Sequence, residues 1–562
     1  MITAITIENF KGIGERVELE LRPLTLMFGP NSAGKSTVLH ALQYLAEVVL
    51  QGNLDPDRTS SGGKSLDLGG FQQLVHQHDL GRTVRIAVRV DLADELESGT
   101  FNAFDFDWSF ILDVLGLESN SDLLECFGDF QRAEMEYAIQ WSSLEQRPYI
   151  IQVEYRADDA KGGPVAALAT WRSDPAGRRR TLQIFDQNPS MFPLYNWRFG
   201  NDDDSGERQG KARNARTTLL GECLQIVRKL CEVDGDNAFF LPQHAMEPTA
   251  SQAASVFLCR RDNVASESEL GLSSDAADLF VTKVSLGFGW LLEVVHNHVR
   301  TCLEQFRSIG PLRELPARNA RPPRTPDTTR WGSGLGAWDR LFADEGALLD
   351  AVNSWLGDSN RLNTGYRLRA KCYKEVDLSD RLLADLISGR AFDDVAPDAR
   401  LALEGLPTQT RLLIEPVGEE LELAPCDVGV GISQVIPVVV AALDGSGHLN
   451  SIEQPELHVH PRIQAELGDL FIESVKTKQH RFLIETHSEH LILRLQRRIR
   501  EATASRASSA TALSSEDLVV YYLRREAGAT VVRRIDVDRD GEFVQPWPDD
   551  FFDIDFYERF SK

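Results

Sequence analysis

Apolar residues near both ends of the chain form short runs, followed by stretches in which apolar positions recur every three or four residues. Leu24–Phe28 is a continuous apolar run that predicts a buried strand, and Thr37–Leu50 has the helical spacing that follows it. The last third repeats this arrangement, with a helix predicted over Ile432–Leu443. Because strands and helices alternate, we predict an α/β fold class. Further strands are predicted at His448–Ile452, from Arg481 onward, at Asp517–Leu523 and at Val531–Ile535.

The central part of the chain shows two other patterns. Period-two alternation predicts an antiparallel sheet from strands at Val84–Leu92, Tyr149–Tyr155 and Thr181–Phe185. A polar stretch, Arg198–Gly210, predicts a loop. The spacing then predicts helices at Thr217–Val233, Ala276–Phe306 and Gly346–Trp355. No heptad repeat is sustained, so a compact helical part fits better than a long coiled coil.

The turn between the first apolar strand and its helix carries the residues Gly29–Thr37, which read GPNSAGKST. Their spacing fits the phosphate-loop pattern G-x-x-x-x-G-K-[ST], in which main-chain N–H groups surround phosphate oxygens at a helix N-terminus. Lys35 is expected to reach the β- and γ-phosphates, and the Ser36 hydroxyl to bind magnesium. The sequence therefore predicts a site for a nucleoside triphosphate and Mg²⁺. The residues expected to hold the nucleotide are Asn31, Ser32, Ala33, Gly34, Lys35, Ser36 and Thr37.

Two later strands are expected to bring an acid and an imidazole to the same site. The strand ending at Ile452 leads into Glu453, which is placed to complete the magnesium shell. The strand that begins at Arg481 leads into Thr486 and His487. We predict that His487 senses the γ-phosphate, although a histidine taken alone is more often structural.

A glycine-rich turn precedes the helix of the last third. Gly429 and Gly431 open the turn, and Ser433 is the predicted N-cap of the helix that follows. A helix N-terminus with a free hydroxyl binds anions, but the phosphates of this chain's own nucleotide are already held by Gly29–Thr37. We therefore predict that Gly431 and Ser433 contact the nucleotide of a second subunit. The simpler alternative is a capped core helix.

Composition limits the class of protein and its compartment. The 562 residues are 42% hydrophobic and 26% charged, which is ordinary for a globular chain. The longest apolar runs are too short to span a bilayer, and Met1–Glu8 lacks the features of a signal peptide. Seven cysteines without a C-x-x-C pair suggest reduced thiols. We expect a cytoplasmic protein with no membrane partner.

The net charge of −25 does not favour binding to nucleic acid, because the average field repels phosphate. Two arginine clusters leave DNA binding open, although ion-paired or solvated faces are the favoured interpretation. The clusters are Arg494, Arg497, Arg498 and Arg500 in one helix, and Arg313, Arg318, Arg321, Arg324 and Arg330 in a loop.

Taken together, these motifs resemble ABC-type ATPases of the RecF, SMC and OLD group, and in particular the stand-alone ATPases of prokaryotic anti-phage defence systems. The motifs that carry the resemblance are NFKGI from Asn9, GPNSAGKST, DVGVGISQ from Asp427, IEQPELHVHP from Ile452 and ETHSEH from Glu485. The segments Ile309–Pro316 and Pro546–Phe552 are also similar to that group, and Lys11 resembles a residue that approaches the nucleotide there.

The resemblance implies an ATPase head whose ATP lies between two subunits, with Gly431 and Ser433 contributed by the second. It also implies that a long insertion divides the head. We therefore predict five parts: an N-terminal part of the head at 1–80, an antiparallel β subdomain at 81–190, a mainly helical insertion at 191–400, a C-terminal part of the head at 401–545 and a tail at 546–562.

One position departs from the group's pattern. Where many relatives have Asp-Glu-Pro, this chain has Glu453, Gln454 and Pro455. A glutamine orients water through hydrogen bonds but cannot take its proton at neutral pH. We therefore predict slow hydrolysis catalysed by Lys35, Glu453, Gln454 and His487, or assistance from Glu456 or Glu485.

The predicted function is a slow, Mg²⁺-dependent ATPase that dimerises or assembles further on ATP and controls a partner effector, such as a nuclease encoded nearby. The acidic run Asp536–Glu542 is predicted to be a surface turn rather than a metal site. One alternative is a RecF-like ATPase that binds DNA in repair or maintenance. Another is an ATP-binding scaffold with little hydrolysis.

Overall fold

The computed structural model describes five stretches of the chain and two short pieces between them. The described residues are 1–91 except 61 and 63–65; 130–184 except 160–165, 174 and 176–179; 238–240; 292; 295–377 except 319, 321, 322, 324, 326 and 345; 401–504 except 402 and 403; and 511–548. The predicted loop Arg198–Gly210 and the predicted helix Thr217–Val233 lie outside these residues.

The described strands form three sheets. They are β1 Ile2–Glu8, β2 Val17–Glu20, β3 Leu24–Phe28, β4 Val84–Asp91, β5 Phe130–Ser142, β6 Arg147–Asp159, β7 Ala166–Ser173, β8 Arg180–Ile184, β9 Ala238–Phe240, β10 Phe306–Ile309, β11 Tyr366–Lys374, β12 Thr408–Pro416, β13 Leu449–Glu453, β14 Arg481–Glu485, β15 Leu518–Glu526 and β16 Ala529–Ile535.

The described helices lie mostly between the strands of the last third. They are α1 Lys35–Ala46, α2 Gly70–Leu74, α3 Leu335–Ala343, α4 Ala347–Gly357, α5 Val430–Leu443, α6 Pro461–Lys478 and α7 Glu489–Thr503, with a further helix over 295–304. Short 3-10 turns are His76–His78, Thr328–Trp331, Pro425–Asp427 and Ser515–Asp517.

A six-stranded sheet with the order β10-β13-β14-β3-β15-β16 positions the site. Its first five strands are parallel, and β16 pairs antiparallel to β15. The register places Glu453 beside Glu485, and Glu485 beside Met27. The carboxyl ends of β13, β14 and β3 therefore meet at one edge, which is where ligands bind in open α/β sheets. This arrangement confirms the predicted α/β class.

The two faces of this sheet belong to two hydrophobic cores. On one face, α1 packs through Val38 and Leu42 in a core that also contains the inner residues of β1 and β4. On the other face, α3 to α7 surround Leu26 and Ile484. The single strand β3 therefore contributes Met27 to the first core and Leu26 to the second, as alternation along a strand requires.

The second sheet is antiparallel, with the order β2-β1-β4-β5-β6-β7-β8-β9. It contains all three strands predicted from period-two alternation. It also takes in β1 and β2, because β1 pairs with both β2 and β4. The boundary that we predicted between residues 80 and 81 therefore falls inside this sheet rather than between two sheets.

The predicted helical insertion is more mixed than its apolar spacing indicated. Helices are found over 295–304 and at α3 and α4, as expected. However, a strand, β11, follows α4 within the predicted helical insertion, and it pairs antiparallel with β12. Most of the side chains of β11 are exposed, so this strand lacks the apolar alternation from which we identified the others. The predicted tail lies outside the described residues from 549 onward.

Candidate nucleotide site

The phosphate loop follows β3 and leads into α1. Gly29 (φ 141°) and Gly34 (φ 99°) both have a backbone conformation that residues with a side chain rarely adopt. A Cβ atom on Gly29 would collide with the Leu523 carbonyl, and one on Gly34 with the Thr530 hydroxyl. Thr530 in turn donates to the carbonyl of Ala33 (2.9 Å). The hairpin of β15 and β16 thus supports the loop from behind and requires glycine at both positions.

Lys35 and Ser36 turn inward from the start of α1 toward the acidic strand ends. The Lys35 Nζ atom donates to the carbonyls of Gly29 (2.9 Å) and Pro30 (3.0 Å) and lies 3.7 Å from Oε1 of Glu485. The Ser36 hydroxyl donates to Oε2 of Glu485 (2.7 Å). Burial lowers the pKa of Lys35, and the charge of Glu485 opposes that shift. A cation and a hydroxyl donor therefore converge where phosphate oxygens and a metal would lie.

Glu453 and Glu485 form a pair of carboxylates at neighbouring strand ends. Burial, together with the charge of Glu485, raises the pKa of Glu453 to about 7, even though Ser36, Arg313 and Lys11 act in the opposite direction. Two carboxylates on adjacent strand ends repel each other, and a cation between them removes that repulsion. The pair is therefore suited to a divalent metal.

Among the residues that the structure describes, no three His, Cys, Asp or Glu side chains are grouped so that they could hold a metal alone. Mg²⁺ is commonly bound through one or two carboxylates together with substrate phosphates. The oxygens of Ser36 and Glu453 fit that mode. An open pocket of about 550 Å³ adjoins the phosphate loop and is lined by Pro30 to Ala33 and Arg524 to Glu526.

Gln454 occupies a tightly fixed turn just beyond β13. Its backbone is in the left-handed region (φ 45°), and its N–H donates to the carbonyl of Glu485 (2.7 Å). The nearby Glu456 accepts hydrogen bonds from the Thr486 hydroxyl (2.8 Å) and from the His487 N–H (2.7 Å). Burial raises the pKa of Glu456. Both oxygens of Glu456 are thus engaged in holding the Thr486–His487 turn.

His487 lies at the end of β14, on the same edge as the phosphate loop. Its Nε2 atom is buried and has no hydrogen-bond partner within the described part of the chain. Burial, and then the charge of Lys35, lowers the pKa of His487, so the imidazole is neutral at physiological pH. An unpartnered imidazole nitrogen near Lys35 is what a contact to the γ-phosphate requires. That role for His487 stays a prediction.

The glycine-rich turn before α5 differs from our expectation in one respect. The helix begins at Val430 with Gly429 as N-cap, so the predicted N-cap role of Ser433 is wrong. Ser433 lies in the first turn, fully buried, and its hydroxyl donates to the carbonyls of Pro425 (3.3 Å) and Gly429 (3.4 Å). A Cβ on Gly431 would lie 2.5 Å from the carbonyl of His458. The contact of Gly431 and Ser433 with a second nucleotide stays a prediction.

Sequence reasoning did not assign Arg313 to the site. We had placed it in a loop cluster that was expected to be solvated or ion-paired, but its side chain is 3% exposed. Its guanidinium donates to the carbonyl of Glu453 (2.7 Å). The only sequence signal was its position in the segment Ile309–Pro316. Lys11 also reaches the site region, where its Nζ lies 2.8 Å from Nδ1 of His40.

The family comparison agrees with this geometry. Residues 1–106 and 388–492 match the sequence model of a family described as AAA ATPase domain. In these two segments, which include the phosphate loop and the ends of β13 and β14, the chain is similar to an AAA ATPase domain. The match confirms the resemblance to ABC-type ATPases of the RecF and SMC group, and the interval between its two segments confirms that an insertion divides the head. Residues 513–554 of the ATPase match a second family, described as a protein of unknown function (DUF3696).

Solved structures similar to this ATPase include three SMC heads. One is an Smc head bound to the C-winged helix domain of ScpA, with 10% identity over 96% of this chain and 98% of that chain and a TM-score of 0.36. A second, an Smc head with an extended coiled coil bound to the C-terminal domain of ScpA from Pyrococcus furiosus, has 10% identity over 95% and 96% of the two chains and a TM-score of 0.34.

The third is the SMC head domain from Thermotoga maritima, with 9% identity over 95% of this chain and 99% of that chain and a TM-score of 0.31. These values are too low to carry an argument about function. No curated protein matches the chain in sequence. Within the described residues, no helix has both the length and the apolar character needed to cross a membrane.

Proposed function

We propose that this chain is a magnesium-dependent ATPase whose ATP-bound dimer or higher assembly acts as a switch for a partner effector protein in anti-phage defence. The observation that carries the ATPase part is the convergence of Lys35 and Ser36 on Glu485, directly beside Glu453. Phosphoryl transfer depends mainly on positioning and charge stabilisation, and this edge supplies cationic, hydroxyl and acidic groups for both. The defence role rests on the motif resemblance alone.

Each residue at the edge then has a defined task. Lys35 exchanges its contacts with the carbonyls of Gly29 and Pro30 for contacts with the β- and γ-phosphates. Ser36 and Glu453 are the residues that would hold a magnesium ion, which when bound would neutralise charge on the phosphates. His487 contacts the γ-phosphate through its free Nε2 atom.

The identity of residue 454 favours slow hydrolysis. Gln454 orients the attacking water but has no group that takes its proton. Glu456 is committed to Thr486 and His487, and Glu485 to Ser36 and Lys35. Slow turnover suits a switch, because the ATP-bound state then lasts long enough to act on a partner. A turnover number well above about one per second would contradict this part of the proposal.

Assembly on ATP is the second part of the proposal. Gly429 and Val430 are exposed at the N-terminus of α5, where main-chain N–H groups without helical partners attract anions. The phosphate loop of the same chain is already attached to another helix, α1. The α5 terminus of one subunit would therefore face the nucleotide of another.

The DNA-binding alternative is less well supported by the arginines of α7. Arg494 bonds to Glu466 and Asp469, and Arg498 bonds to Asp469 and Glu501, so both are ion-paired as the favoured interpretation predicted. Paired guanidinium groups offer little net charge to a phosphate backbone. The other alternative, an ATP-binding scaffold with little hydrolysis, is favoured only by the glutamine at position 454.

Steady-state phosphate release in the presence of Mg²⁺, with and without duplex DNA, tests the proposal, with Lys35→Ala as the blank. Slow phosphate release that exceeds the blank and does not change when DNA is added supports the proposal. Stimulation by DNA would instead favour the RecF-like alternative. Nucleotide binding and assembly without phosphate release would favour the scaffold. Size-exclusion chromatography with and without ATP measures assembly in the same samples.

A further inference from the structure

Arg313 enters the nucleotide site from the edge of the parallel sheet. β10 ends at Ile309, which pairs in register with Ile452 of β13, and the chain then passes through Gly310 and Pro311 to Arg313. The preceding residue, Leu312, is 73% exposed, whereas Arg313 is 3% exposed. The segment therefore turns Arg313 inward, beneath the end of the strand that carries Glu453, while the preceding Leu312 points outward.

The guanidinium of Arg313 joins two parts of the site. Its Nη2 atom donates to the carbonyls of Glu453 (2.7 Å) and Gln454 (3.3 Å), and its Nη1 atom donates to the carbonyl of Gln434 in α5 (3.3 Å). The main chain of Arg313 adds a second connection to α5. Its N–H donates to Oε1 of Gln434 (3.1 Å), and its carbonyl accepts from Nε2 of the same side chain.

Stability alone does not account for this arrangement. Within the described residues, the acceptors of the Arg313 guanidinium are all main-chain carbonyls, and its Nε atom is buried without a partner. Burial lowers the pKa of Arg313 to about 10, opposed by the charges of Glu456 and Glu453, so the group remains a cation at neutral pH. Burying a cation without a directly bonded carboxylate is costly, and an apolar side chain would often fill such a space with less loss.

The guanidinium of Arg313 provides a rigid link between α5 and the turn that carries Gln454. Gln434 lies one turn after the exposed start of α5. Gln454 is the residue that orients water in the proposed function. Through Arg313, a movement of the first turn of α5 would be transmitted to the Gln454 carbonyl, and therefore to the turn that carries its side chain. A planar guanidinium with several donors holds three carbonyls in a fixed geometry, which a lysine ammonium cannot reproduce.

We propose that Arg313 is a positioning residue that couples the N-terminus of α5 to the Gln454 turn, so that engagement of α5 by a second subunit's nucleotide aligns the water for hydrolysis. This inference rests on the proposed function. It adds a residue that does not touch the nucleotide but controls whether the bound nucleotide is hydrolysed.

The test uses Arg313→Lys, which keeps the charge and most of the volume, and Gln434→Met, which keeps the shape but removes the amide. We expect each to lower kcat at least tenfold while changing nucleotide affinity by less than about threefold. The variant that combines Arg313→Lys with Gln434→Met should have a kcat no lower than that of the slower single variant, because the two substitutions break the same link. Arg330→Lys is the matched control, since Arg330 bonds to Asp339 away from the site, and it should retain wild-type kcat.

A second readout does not depend on hydrolysis. Hydrogen exchange of a peptide covering residues 429–434 is measured with and without Mg-ATP in the full-length chain. We expect ATP to change the exchange of this peptide in the wild type and in Arg330→Lys, but much less in Arg313→Lys. A purely structural role for Arg313 would instead raise exchange throughout the head, with or without nucleotide.

These readouts separate the two claims. Suppose that the wild type does not hydrolyse ATP, but that ATP changes the hydrogen exchange of its 429–434 peptide and not that of Arg313→Lys. The ATPase proposal then fails and the coupling stands. If the wild type hydrolyses ATP and Arg313→Lys retains both kcat and the peptide response, the coupling is wrong and the ATPase proposal stands. Multiplicative kcat losses in the double variant, or a wild-type peptide that ATP leaves unchanged, would also overturn the coupling.

Discussion

Replacing Glu453 with glutamine should make the metal-free protein more stable at alkaline pH, even though the substitution removes a residue of the site. Glu453 lies beside Glu485 at the strand ends, and burial together with that neighbouring charge raises its pKa to about 7. Without Mg²⁺, the positive charges of Lys35, Arg313 and Lys11 offset the two carboxylates only in part, since the pKa of Glu453 remains raised. Glutamine keeps the size of the side chain and removes its charge.

The magnitude and its direction follow from the pKa. A pKa raised from 4.5 to about 7 corresponds to on the order of 3 kcal/mol, since each pKa unit is worth about 1.36 kcal/mol. The folded state holds the proton more tightly than the unfolded state does, so stability falls as pH rises from 4.5 to about 7 and stays reduced above that. The advantage of Glu453→Gln should therefore be near its full value at pH 8 and nearly absent at pH 4.5.

Thermal unfolding in EDTA, followed by tryptophan fluorescence between pH 4.5 and 8, measures this difference. Glu419→Gln, at an exposed position distant in sequence from the phosphate loop, is the control and should follow the wild type. Adding Mg-ATP should stabilise the wild type more than Glu453→Gln, because only the wild type then offers the charge that a metal requires. A difference between Glu453→Gln and the wild type that is the same at pH 4.5 and pH 8 would refute the reasoning.

Three further changes have defined outcomes. Gly34→Ala forces a side chain at φ 99° onto Thr530, so nucleotide affinity in a fluorescent-nucleotide titration should fall at least tenfold, whereas Gly52→Ala (φ 64°, open space) should not change it. Gln454→Glu supplies a proton acceptor and should raise phosphate release by roughly a hundredfold; an unchanged rate would exclude the glutamine as the limiting feature. Burial and nearby positive charge lower the pKa of His480 to about 4, so stability should fall as pH drops from 6.5 to 4, and the thermal midpoint of His480→Asn should fall less.

The local sequence pattern was sufficient to predict the central strand of the parallel sheet and the phosphate loop that follows it. The run Leu24–Phe28 coincides with β3, and the helix after it begins at Lys35, two residues earlier than predicted. That helix passes at Glu47 into a π-helical turn, which apolar spacing does not reveal. The start of α5 was misplaced because both Gly429 and Ser433 are acceptable N-caps, and only the backbone decides between them.

The sequence pattern predicted that the ends of distant strands meet, but it did not reveal which side chains pair there. Ser36 and Glu485 are 449 residues apart, and their hydrogen bond follows from the position of β14 beside β3. Glu485 was predicted only as one of two residues that could assist hydrolysis, and no sequence signal indicated that its partners are Lys35 and Ser36. Arg313 was harder still, because a charged residue in a polar segment is usually solvated, and its burial depends on the fit of β10 against β13.

The position of Arg313 in the chain bears on how the insertion is used. The residues that match the AAA ATPase domain stop at 106 and resume at 388, so Arg313 lies in the interval between them. Nevertheless, it bonds to the carbonyls of Glu453 and Gln454, at the centre of the site. Only three residues separate it from β10, the edge strand of the catalytic sheet. A displacement of β10 would therefore reach the turn that carries Gln454 through Arg313, without any contact to the nucleotide.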